Sequence, residues 1–67
     1  MANLYEIKYI HKDMPKGYMG RRKIWAIDKN KAISCFCTRR PNSDGCTTTK
    51  KGAIIWIKEV NEISTSD

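Results

Sequence analysis

Histidine and cysteine are scarce in this chain, with one His and three Cys in 67 residues. That scarcity removes most catalytic and metal-binding readings. His11 stands alone on a strand-like stretch, no serine or cysteine sits in a nucleophile motif, and the seven carboxylates are dispersed rather than paired. No catalytic residue is assigned, and the expected function is non-enzymatic. An odd number of cysteines cannot close a complete internal disulfide framework, which points to a reducing compartment. There is no apolar stretch near the ~20 residues of a membrane span. Glu6, Lys8 and His11 also interrupt Met1 to Lys12 before a secretory core can form. The reading is a cytoplasmic protein without a membrane partner.

Cys35, Cys37, Cys46 and His11 are a donor set that zinc accepts. Their spacing argues against it. Residues two apart on a helix point about 200° from each other, so Cys35 and Cys37 diverge. No metal or other cofactor is assigned.

Acidic residues are the next shortage, 7 against 13 Lys and Arg, for a net charge of +6. The stretch from Lys8 to Lys51 holds 12 basic and three acidic residues, a local +9, whereas the remaining charged residues sum to −3. Such a basic body suits an anionic partner.

What is present is a short alternation of strands around one helix. Leu4 to Lys12 alternates, with Tyr5, Ile7, Tyr9 and His11 on one side. Asp13 to Arg22 reads as a connection containing Pro15, Gly17 and Gly20. Lys23 to Ile27 is β-branched and aromatic, a second strand. Asp28 is placed to cap a helix whose apolar face is Ala32, Ile33, Phe36 and Cys37. Pro41 stops that helix, leaving Arg39 and Arg40 in its last turn. A polar, turn-rich connection runs to Gly52, and Ala53 to Glu62 forms the last strand.

The expected fold class is α+β: a three-stranded antiparallel or mixed sheet with one helix packed on one face. Its β-β-α-β order is a split β-α-β with the first strand central. An alternative places the more apolar last strand in the centre. Residues 1–63 make a single domain, and 64–67 a flexible C-terminal tail.

A single helix covers one face of such a sheet. Tyr5, Tyr9, Trp25 and Trp56 are therefore candidates for an open aromatic face that either stacks bases or docks a protein or a second copy of the chain. The candidate nucleic-acid-binding residues are Lys16, Tyr18, Arg21, Arg22, Lys23, Lys29, Lys31, Arg39, Arg40, Lys50 and Lys51. Their spread around the domain suits several separate phosphate contacts better than one stripe along a duplex.

From Leu4 to Ile63 the outline resembles small phage- and mobile-element-encoded proteins, including anti-CRISPR inhibitors built as one helix on a short antiparallel sheet. Many such inhibitors are acidic and mimic DNA. For a basic chain the resemblance implies a patch that grips an acidic or RNA-bearing surface. The leading expectation is a binding module for nucleic acid or a nucleoprotein. The alternative is an inhibitor or adaptor that docks a protein through the open aromatic face.

Overall fold

The computed structural model describes residues 2–15 and 17–65. The elements in chain order are β1 (Asn3–His11), β2 (Gly20–Ala26), α1 (Lys29–Phe36), β3 (Cys46–Thr48) and β4 (Ile54–Thr65). They form one helix and a four-stranded sheet in the order β2-β1-β4-β3, every neighbouring pair antiparallel. The sheet has four strands rather than three. Among the three expected strands the first is indeed central, and β2 and β4 run parallel on either side of it. Because β3 adds to its outer edge, β4 is interior as well. Of its apolar run, Ile55 and Ile57 face the core, whereas Ile54 and Trp56 lie on the opposite side.

The extra strand comes from the Thr-rich part of what reads as a loop. Thr47 and Thr48 pair with Ile55 and Ile54, and the tight Lys50–Gly52 connection returns the chain. Gly52 takes a φ of +91° there, a turn position that a side chain disfavours. At the other end of β3, Gly45 (φ +84°) passes so close to β4 that a Cβ would lie 2.5 Å from the Ile57 carbonyl oxygen.

Three further boundaries differ from the sequence reading. β2 begins at Gly20, so Arg21 and Arg22 belong to the strand, opposite Lys8 and Ile7, and not to the preceding connection. β4 continues through Thr65, with Ser64 and Thr65 paired to Leu4 and Asn3 where a tail was expected; residues 66 and 67 lie outside the described residues. The helix ends at Phe36, four residues before Arg40, so neither Arg39 nor Arg40 is in its last turn. Its C-terminus is stopped by pairing, ahead of the proline. Cys37 bridges Thr49, Thr38 N–H donates to the Thr48 carbonyl (2.9 Å) and Lys50 N–H donates to that of Phe36 (3.1 Å). The helix start is as expected, with Asp28 Oδ1 accepting the Lys31 amide at 2.8 Å.

The core lies between α1 and the sheet. Tyr5, Ile7, Ala26 and Ala32 are buried together, with Ile24, Ile33, Phe36, Ile57 and Val60 packed around them. Towards β3, Ile55, Cys37, Thr47 and Thr49 are buried too. Both threonine hydroxyls are satisfied: Thr47 donates to the Arg39 carbonyl (2.8 Å), and Thr49 accepts from the Ala53 amide (3.1 Å). On β4 the register with β1 skips Lys58 and Ile63. The skip at Lys58 returns Val60 to the covered side and Glu59 to the open one.

The helix is short for its sheet. Eight residues rise about 12 Å, whereas the nine of β1 span about 30 Å. α1 runs back over β2 from the Ala26 end. It therefore covers Tyr5, Ile24 and Ala26 and leaves the His11 end of the same face uncapped.

Candidate nucleic-acid interface

That uncapped end is a cleft of about 270 Å³ lined by Tyr9, His11, Arg22, Cys35, Phe36, Thr49, Lys50, Lys51 and Ala53. Each wall follows from a local feature of the chain. Tyr9 and His11 continue the covered side of β1 beyond Ile7, by the two-residue period of a strand. Arg22 occupies the same side of β2, opposite Ile7. Cys35 and Phe36 are the last two residues of α1. Lys50 and Lys51 are carried by the β3–β4 turn, which the Phe36–Lys50 backbone hydrogen bond ties to the helix end.

The floor is aromatic. Tyr9 and Phe36 have ring centroids 5.2 Å apart at an interplanar angle of 53°. The Tyr9 ring rests on Gly20, where a Cβ would lie 2.6 Å from its Cζ, so only glycine leaves the ring that seat. The Arg22 guanidinium carbon sits 6.0 Å from the Phe36 centroid, at the outer limit of a cation–π contact. The rim is cationic. Arg22, Lys50 and Lys51 converge on it from two separate elements, and among the described residues none that lines the cleft is acidic. His11 accepts the Asp13 amide at Nδ1 (3.0 Å), so its neutral ring carries the proton on Nε2 and can donate from there. A concave surface lined by positive charge attracts anions.

The other basic candidates are distributed elsewhere. Arg21 and Lys23 alternate onto the opposite sheet face, beside Lys8 and Glu6. Lys29 and Lys31 are exposed in the first turn of α1, at the far end of the molecule from the cleft. Arg39 and Arg40 border a shallow depression by β3 with Asn42, Thr48 and Ile54, and Arg39 donates to Thr48 Oγ1 (3.3 Å). Tyr18 is exposed in the β1–β2 connection beside Met19 and Arg21. Lys16 lies outside the described residues. Of the ten candidates among the described residues, the cleft brings together three, Arg22, Lys50 and Lys51.

The open face is less aromatic than expected. Tyr5 is 5% exposed in the core, its hydroxyl donating to Glu62 Oε1 (3.5 Å), and Tyr9 floors the cleft. Neither belongs to the open face. Trp25 and Trp56 do, but at opposite ends. Trp25 stands opposite Leu4, and Trp56 between Ile10 and Cys46. The band between them is charged: Lys23 and Glu6, then Arg21, Lys8 and Glu59, with Lys8 and Glu59 paired at 3.3 Å.

The sequence singles out neither His11 nor Phe36 for a nucleic-acid site, and Tyr9 only as one of the strand aromatics of an open face. The alternation of β1 already placed His11 on the same side as the core, which was the signal available. Phe36 reads as ordinary core until the shortness of α1 is known. Cys35 is exposed and Cys37 buried, and burial pushes the Cys37 thiol up from its ordinary value of 9.0, partly opposed by a hydrogen bond with Thr47. Among the described residues no three His, Cys, Asp or Glu side chains cluster as metal ligands, and no helix is long and apolar enough to cross a membrane.

Comparison of the chain with protein-family models, with curated proteins and with solved structures returns no match.

Proposed function

We propose that the protein is a non-enzymatic nucleic-acid-binding module whose principal contact is the cleft beneath the end of α1. The observation that carries this reading is the convergence of Arg22, Lys50, Lys51 and the His11 ring on a Tyr9–Phe36 floor, with no acidic residue in the lining among the described residues. Cations around an aromatic surface offer a nucleotide what its two halves need, a counter-charge and a stacking platform. Arg21, Lys23, Arg39 and Arg40 lie outside the cleft and add contacts that carry no sequence information.

The test is binding of labelled single- and double-stranded DNA and RNA across a salt series. The logarithm of affinity should fall linearly with the logarithm of salt concentration, and Lys50→Ala with Lys51→Ala should reduce the slope by about 1–2. Binding that is indifferent to salt, or absent at low salt, overturns the proposal.

A second reading has one observation in its favour, the 53% exposure of Trp25 beside Leu4 on the open face. Exposed tryptophan is a common anchor in protein interfaces. This inhibitor-like or adaptor role requires a discrete partner, whose binding Trp25→Ala should weaken at least tenfold while nucleic-acid affinity stays the same.

A further inference from the structure

The shape of the cleft says more than its charge. A duplex presents phosphates along a convex surface and keeps its bases stacked inside, so it can use a line of cations but not an aromatic floor. Here the cations do not form a line. Arg22, Lys50 and Lys51 meet at one concave site, whereas Arg21 and Lys23 face the other side of the sheet and Lys29 and Lys31 sit at the far end. At about 270 Å³ the cleft is close to the lower end of ligand-pocket sizes, about 300 Å³, which is room for one small planar group with its substituent. Its floor is ready to receive such a group. Tyr9 is seated on Gly20 and in tilted contact with Phe36, so the two rings form one fixed aromatic surface on the floor of the cleft.

Resting on the nucleic-acid reading, we infer that the cleft takes one unpaired nucleotide. Its base stacks on the cleft side of the Tyr9–Phe36 pair, and its phosphate is held at the rim by Arg22, Lys50 and Lys51 with His11 Nε2 as a further donor. The protein is therefore selective for single strands. A flexible strand can also bend from the cleft around the edge of β2 towards Arg21, a path closed to a stiff duplex. The base is recognised by its π-face, so sequence preference is weak.

The experiment uses the intact protein, fluorescein-labelled 10-nucleotide oligo(dT) and oligo(U), and a blunt duplex of equal phosphate number at the same ionic strength. The single strands should bind at least tenfold more tightly. Phe36→Leu keeps an apolar side chain and should lower single-strand affinity about fivefold to a hundredfold. It should leave duplex affinity and the salt slope unchanged, with the unfolding midpoint measured alongside. A nucleoside 5′-monophosphate should displace the oligonucleotide where inorganic phosphate at equal ionic strength does not. Equal binding of duplex and single strand by the wild-type protein overturns the inference without any variant, while salt-dependent affinity would leave the broader reading intact. Equal displacement by inorganic phosphate overturns it as well. If none of the nucleic acids binds at low salt, both fail together.

Discussion

The two faces of one sheet are built from the same strands, and they behave as different materials. On the helix side, alternate residues of β1 are Tyr5, Ile7, Tyr9 and His11, the first two buried in the core and the last two half-buried at the cleft. On the other side the same strand presents Leu4, Glu6, Lys8 and Ile10, opposite Trp25, Lys23 and Arg21 on β2. One face gains its stability from burial and its binding surface from running out of helix. The other is held by cross-strand pairs in water, which are individually weak. Both the structural and the recognition energy of this protein should therefore be concentrated on the covered side.

The largest test of that contrast is a matched pair of truncations on β1. Ile7 is fully buried and Ile10, three residues on, lies on the open face. Ile7→Ala should cost about 2–5 kcal/mol, against a total of roughly 3–10 kcal/mol for a chain of this size. Ile10→Ala should cost under about 1 kcal/mol. Urea midpoints measure both, and similar losses would show that the open face is covered in solution.

Arg22→Ala and Arg21→Ala make the same comparison for binding, since adjacent residues of β2 point to opposite faces. Arg22→Ala should weaken single-strand binding about tenfold, and Arg21→Ala by less than about threefold. The reverse order would move the binding surface to the open face. Asp28→Ala removes the cap that starts α1 and should cost about 1 kcal/mol. It also tests whether the helix position sets the cleft, because affinity should fall with it if the Phe36 wall shifts.

Smaller still is the open-face ion pair. The Lys8 and Glu59 side chains are 27% and 54% exposed. Glu59→Gln should therefore change stability by no more than about 0.5 kcal/mol, an effect that disappears in 1 M salt. The smallest effect is absent at neutral pH. Burial raises the Cys37 thiol above its ordinary 9.0. A pKa raised on folding contributes stability that is fully present below the unfolded-state value and is lost as pH rises through the folded one. Wild-type stability should thus decline above about pH 9 with a component that Cys37→Ala lacks. An identical alkaline slope in the two proteins would show that Cys37 is as solvated folded as unfolded.

Much of the fold was legible in the residues. The period-two pattern of β1, the Asp28 cap and the Ala32–Ile33–Phe36–Cys37 face are local signals that tertiary packing reinforced. β3 was not legible because three residues are too few for a periodic pattern, although a Thr triplet followed by Lys-Lys-Gly is compatible with a strand and a tight turn. The candidate site was legible in composition only. Eleven basic and aromatic positions could be named, but their grouping depends on strand register. A one-residue change in register sends Arg22 to one face and Arg21 to the other.

Residue type and short spacing were enough for the net charge, the single helix and its N-terminus, but they left either the first or the last strand as the central one. Where α1 stops depends on long-range pairing instead, because its C-terminus competes with pairing to residues 48–50, which lie ten or more positions away. That stop leaves the His11 end of β1 uncovered.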